Sequence, residues 1–298
     1  MNKKFSINNL SKWLGCFVFI VPALFFYIVF IVIPLFGTIN ISFYRWNGAS
    51  PNMTFLGFGN YKELLNTTAF WLSFRNNIIW ILFTIVVPVM TGLVLATLIS
   101  RPYVKAKIIF RLVYFMPAVV SLVAVGIVWT WIYNPVYGVL SRLLNFIQFP
   151  GAGNIEYLGN PKLVIWFLVI AGSWTCFGFN MVVFLAAIQA IDPDFLEVAI
   201  LEGASYLQTF LLVIIPAIKG TITLLILNSL IGSFKVFDLI WIMTKGGPYN
   251  SSDVIATYMF RSSFNLNRYG YGSAMAVVLT IIIAIFSIIY IRIREREN

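Results

Sequence analysis

Acidic residues are scarce in this chain, and four of the ten stand together in one stretch, DPDFLEVAILEGASY, as Asp192, Asp194, Glu197 and Glu202. Clustered carboxylates can hold a metal, work with a nucleophile, or cap a helix. The first two chemistries need partners that are missing. There is no His, the commonest proton shuttle and metal ligand. The two Cys, Cys16 and Cys176, lie in separate apolar runs, which argues against a closed zinc site and a disulfide framework. A hydrolase would need a nucleophile and a base at one depth, whereas most acids here fall in loops. Capping remains. Asp192 is placed to cap a helix, Pro193 suits its first position, and Asp194 favours the positive end of the helix dipole. Gly203 then ends that helix, and Ser205 with Gln208 fits the capping box of a second one. Phe195, Leu196, Ala199 and Ile200 fall near one face at helical spacing. The expectation is a helix, glycine elbow, helix module with an apolar docking face.

The elements that must carry this module are apolar. The chain is 60% hydrophobic and 10% charged, with 28 Phe among 298 residues, a composition suited to lipid rather than to a water-facing surface. A spanning helix needs roughly 20 apolar residues, and uncharged runs supply six: Leu14 to Tyr44, Asn76 to Ser100, Leu112 to Pro135, Leu163 to Ile191, Gly220 to Phe234 continuing towards Met243, and Tyr269 to Ile291. The first run is too long for a cleaved signal peptide. The net charge of +10 is scattered around these runs, as topogenic charge is, and forms no nucleic-acid-reading stripe. Arg101, Lys105, Lys107 and Arg111 crowd one short loop, and Arg292, Arg294 and Arg296 crowd the tail, so both termini and the acidic module are expected on the cytoplasmic side. The expected architecture is an all-α membrane protein of six helices. Its parts are an N-terminal tail over 1–13, one membrane domain over 14–291 that includes the module at 192–216, and a tail over 292–298. Outside, residues 45–75 and TKGGPYNSSD are rich in turn formers, and a short interfacial helix is expected near Gly138 to Ile147.

Polar groups inside the runs are functional candidates because exposing them to lipid is costly. Lys235 and Asp238 are three residues apart. On one helical face they would neutralise each other and snorkel outwards, which is the expected role, or contribute to a gate or an outer cavity.

The acidic module also carries a resemblance. Glu197, Ala199, Gly203, Val213, Ile215 and Pro216 keep the spacing of the EAA signature of bacterial ABC importer permeases, with Val198, Val213 and Ile215 as apolar exchanges. The segments FVFIVPALFFYIVFIVIPLF, YGVLSRLL, GGP and RYGYGSAMAVVL are similar to the carbohydrate branch, the maltose and glycerol-phosphate type. The resemblance implies a permease that forms a path with a second permease, receives sugar from an extracytoplasmic binding protein, and is driven by two ATP-binding subunits that hold the ATP and Mg. It implies no catalysis and no cofactor in this chain.

The resemblance further implies that the elbow docks into an ATPase groove through Glu197, Ala199, Ile200, Glu202, Gly203 and Pro216. Matching Gly-Gly-Pro and Glu197 to the family pattern puts path positions at Thr175, Cys176, Phe179, Ser229, Gly232, Ser233 and Val236, with Phe179 as an aromatic platform. Asn180, Asn228, Trp174 and Lys235 are neighbours able to supplement them. The competing role for each lone hydroxyl or amide is packing between helices. A proton- or ion-coupled secondary transporter is the rival class. It would want a titratable group near the midplane or broken helices in matched halves.

Overall fold

Hydrophobic runs of this length can satisfy their backbone in lipid only as helices or a closed barrel, and the computed structural model is predominantly helical along the described parts of its apolar runs. It describes residues 19–101, 103–149 and 155–295. The N-terminal tail, the start of the first span at Leu14, Cys16 and Arg296 lie outside the described residues. Four helices are long and apolar enough to span a membrane: Phe19–Ile41, Thr68–Ser100, Val164–Gln189 and Tyr269–Ile293. Two further spans are broken. Lys107–Val119 meets Leu122–Ile132 at 95°, and Tyr206–Ala217 meets Lys219–Phe234 at 71°. The expected six are therefore reached with the third and fifth bent rather than straight. Ser121 caps the second half of the third span through the amide of Val123, which starts a new helix at the break. The second span begins before Asn76, at Thr68, and takes Arg75 into its helix. The sixth continues past Ile291 to Glu295.

The chain divides into two compact units. One comprises the residues up to Asn66 with Arg261–Val278. It holds the first span, whose register loosens to a π-helix over Ile28–Val32 just before Pro34, a residue that cannot donate to the preceding turn. A small antiparallel hairpin follows, Tyr44–Arg45 against Thr54–Phe55, where only turns were expected. Buried Asn60 fastens it by donating to the carbonyls of Ser42 and Tyr44 at 2.8 and 2.9 Å.

The other unit, Thr67–Phe260 with the chain from Leu279, contains two apolar cores strung along the spans. Trp80, Val125, Tyr157, Leu168, Ala171 and Leu239 belong to one, and Val89, Leu93, Met181, Phe184, Leu225 and Ile214 to the other. The second span contributes Trp80 to the first core and Val89 to the second, and the fourth contributes Ala171 and then Met181. The stretch between the cores therefore lies near mid-span. Close approach is enforced by small residues: a Cβ on Gly178 would stand 1.9 Å from the Tyr114 carbonyl, and one on Gly92 would stand 2.7 Å from Asn180 Cβ. The short helix expected near Gly138 to Ile147 is present as Val139–Phe146.

Candidate functional site

Between the two cores the second, third, fourth and fifth spans leave a cavity of about 480 Å³. Ten of the eleven predicted path residues line it. From the fourth span come Thr175, Cys176, Phe179 and Asn180; from the fifth, Asn228, Ser229, Gly232 and Ser233; beyond its end, Lys235 and Val236. The geometry follows from helical period, because positions 175, 176 and 179 recur on one face, as do 228, 229, 232 and 233. Trp174 is not among the lining residues; it packs edge-on against Trp129, centroids 5.9 Å apart. Trp80 and Thr84 of the second span, Phe115 beside the break of the third, and Phe237 complete an aromatic and hydroxyl wall that the sequence did not reveal.

The polar lining separates by use. Thr175 returns its hydroxyl proton to the Gly172 carbonyl at 2.7 Å. Ser233 Oγ lies 2.6 Å from the Ser229 carbonyl and 2.7 Å from Thr84 Oγ1, so it joins the second and fifth spans. Those hydroxyls serve packing as well as the wall. Asn180 Nδ2 is buried with no acceptor, and Asn228 is exposed to the cavity without a side-chain hydrogen bond among the described residues.

Lys235 and Asp238 correct the sequence expectation. The helix of the fifth span ends at Phe234, Lys235 is its C-cap, and Asp238 opens a separate helix, Asp238–Met243. They do not share a helical face, and no ion pair joins them among the described residues. Both are exposed and line the cavity. Each suits its helix end, a cation at the C-terminus of one and an acid in the first turn of the next.

A pair of asparagines that sequence reasoning passed over fixes this break. Asn77 donates to the Ser233 carbonyl at 3.0 Å and accepts from the Ile255 amide at 2.9 Å. Asn76 donates to the carbonyls of Ser251 and Asp253 at 2.7 and 2.8 Å. The only available signal was adjacent amides opening an apolar run. Together they tie the turn-rich TKGGPYNSSD segment and the end of the fifth span to the second.

The acidic module folds as its residues dictate. Asp192 accepts from the Asp194 amide at 3.1 Å and the helix runs Pro193–Leu201. Gly203 takes φ +79°, and the Ala204 amide donates back to the Ala199 carbonyl at 2.9 Å. Both halves of the capping box form: the Gln208 amide donates to Ser205 Oγ at 3.4 Å, and the Ser205 amide donates to Gln208 Oε1 at 2.7 Å. The apolar residues of this helix divide between two sides, where one shared face was expected. Ala199 is 9% exposed and Leu196 packs on the second core, so both face the chain itself. Phe195, Val198, Ile200 and Leu201 are exposed, beside exposed Glu197, Glu202 and Gly203. Pro216, exposed, lies in the short helix Ile215–Ala217 before the 71° bend. Behind the module, Arg101 at the end of the second span lies 3.6 Å over the Tyr206 ring and donates to Tyr103. Hydrogen bonding to Tyr206 and then Tyr103 raises its pKa above the ordinary guanidinium value.

Comparison with known proteins agrees with this layout. The chain is 32% identical over 277 residues, covering 93% of itself and 94% of its relative, to the probable ABC transporter permease protein YurN of Bacillus subtilis (strain 168). It is 29% identical over 277 residues, 93% of the chain and 92% of the relative, to the trehalose/maltose transport system permease protein MalF of Thermococcus litoralis. In fold it matches a chain of a bacterial ABC transporter involved in import of the acidic polysaccharide alginate, with a TM-score of 0.85 at 22% identity, covering 97% of this chain and 98% of the other. The pattern of the binding-protein-dependent transport system inner membrane component matches residues 88–296, a stretch containing both the cavity wall from the fourth and fifth spans and the whole capped elbow, and the chain belongs to that family of multi-pass membrane permeases.

Proposed function

We propose that this chain is one of two permease subunits of an ATP-driven sugar importer, with its elbow and both termini in the cytoplasm. The single observation that carries the reading is the capped Asp192–Gln208 elbow with its exposed apolar ridge. A short helix rigid at both ends, unpartnered on one side and bonded to the spans on the other, suits transmission of a push. The ridge of Phe195, Val198, Ile200 and Leu201 docks in a groove of an ATP-binding subunit, with Glu197 set against a basic groove residue and Glu202 at the rim. Arg101 on Tyr206 and the Ile214–Pro216 turn pass the movement to the second and fifth spans.

A second permease closes the other side of the path, and an extracytoplasmic binding protein delivers cargo. Sugar is supported by the names of relatives that carry trehalose and maltose and by a cavity that pairs aromatic faces with hydroxyl, amide and charged groups. Phe179 supplies the platform for a sugar ring. Asn180, Asn228, Lys235 and Asp238 supply hydrogen bonds, while Thr175, Cys176, Ser229, Gly232, Ser233 and Val236 shape the wall. ATP and Mg belong to the partner subunits, and the chain performs no covalent chemistry.

Affinity purification of the tagged chain from its native membrane tests the assembly. The expected eluate contains a second permease and two ATP-binding subunits. Purification of a stable, transport-competent species with neither would contradict it.

A further inference from the structure

The loop between the second and third spans carries Arg101, Lys105, Lys107 and Arg111 and no acid. None of the four has a carboxylate within ion-pairing distance among the described residues. They are gathered by the backbone: the Val104 amide donates to the Arg101 carbonyl at 3.3 Å, and Lys107 Nζ donates to the Ser100 carbonyl at 3.1 Å. Lys107 and Arg111, one turn apart in Lys107–Val119, share a helical face. Nε of Arg101 and Nε of Arg111 are both buried with no acceptor. The Arg101 guanidinium already has the Tyr206 ring and the Tyr103 hydroxyl as partners, so what the loop lacks is a counter-charge, and four cations without one select an anionic partner from outside the chain.

The surroundings narrow the source. Ile108 and Leu112, next to Lys107 and Arg111, are 71% and 65% exposed, and Tyr103 is 65% exposed. This is a basic, aromatic and apolar arrangement of the kind found where a span leaves the hydrocarbon for the headgroups. Guanidinium forks match a phosphate group in geometry.

We propose that Arg101, Lys107 and Arg111 bind the phosphate of an anionic phospholipid, with Lys105 at the rim and the upper acyl chain along Ile108 and Leu112. The same Arg101 stacks on Tyr206, the first residue after the elbow's capping Ser205, so the bound lipid steadies the base of the elbow. Assignment to the cytoplasmic leaflet rests on the orientation proposed above. Lipid binding itself needs neither ATP nor partners, so its failure and that of the importer reading are separable.

The test is native mass spectrometry of the purified full chain in detergent with equimolar phosphatidylglycerol and phosphatidylcholine. The wild type is expected to retain phosphatidylglycerol preferentially. In R101Q/R111Q the preference is expected to fall by about fivefold for each cation removed. R101K/R111K, which keeps the charge without the forks, should lose less, and R45Q/R142Q should lose nothing. Matched thermal unfolding checks the fold; if R101Q/R111Q does not purify intact, K107Q is used, with about a fivefold loss expected. Equal retention of both lipids by the wild type, or an unchanged preference in R101Q/R111Q or its K107Q replacement, overturns the site. Displacement of phosphatidylglycerol by millimolar inorganic phosphate reassigns it to a soluble phosphate and overturns the lipid.

Discussion

Gly203 turns the elbow at φ +79°, and a Cβ there would meet nothing within 4 Å. Any cost of a side chain is therefore backbone strain, about 1–2 kcal/mol for a left-handed L-residue and more for a β-branched one. Gly203→Val is expected to leave the chain inserted and the ATPase active while lowering uptake at least about tenfold, a factor equivalent to ~1.4 kcal/mol. The ratio of ATP hydrolysed to sugar moved in proteoliposomes reads this directly, and an unchanged ratio contradicts it. In the cavity, Lys235 and Asn228 present donors with no side-chain hydrogen bond among the described residues. Removing a charged or neutral hydrogen bond costs about 1–3 kcal/mol, so Lys235→Gln and Asn228→Ala are each expected to weaken cargo retention by roughly five- to hundredfold. Cargo-stimulated ATPase titrations would register that loss; unchanged half-saturation in both variants removes these residues from the path.

At the scale of elements, the capped helices were legible because capping is local chemistry. Asp192, Pro193, Gly203, Ser205 and Gln208 each state a backbone role within four residues of where it is played. Helical period likewise put the path residues on shared faces. Long-range contacts left weaker marks. The 95° break interrupts an apolar run without any charge to signal it, whereas the 71° break falls at Ile218, between Pro216 and Lys219. The separation of Lys235 from Asp238 depends on Asn77 fixing Ser233 and Ile255, residues far along the chain. The orientation of the first elbow helix was not legible because it is apolar on more than one side, Leu196 and Ala199 on one and Val198 and Leu201 on another, and only the packing of the second core decides which side is inward.

Two measurements belong to this scale. A double-mutant cycle on Thr84→Val and Ser233→Ala is expected to give about 0.6 kcal/mol of coupling, with ~1.7 as an upper bound for a hydrogen bond between spans; zero coupling contradicts the bridge. Gly178→Leu must displace the Tyr114 carbonyl, so a fall in thermal stability is expected, and a melting temperature within error of wild type contradicts the close approach.

For the whole molecule, the question is what would drive cargo through the proposed path, the cavity between two packed cores. Broken third and fifth spans are features that an ion-coupled transporter also uses. Family membership favours ATP over an ion gradient, and the docking proposed for the capped elbow would give nucleotide state a mechanical handle on the spans. The central claim is therefore tested by uptake of labelled sugar into proteoliposomes holding the full complex with its binding protein. Accumulation against a gradient is predicted only with hydrolysable ATP inside the compartment facing the elbow, and its loss is predicted in Gly203→Val. Accumulation driven by an imposed proton or sodium gradient without ATP would contradict the account.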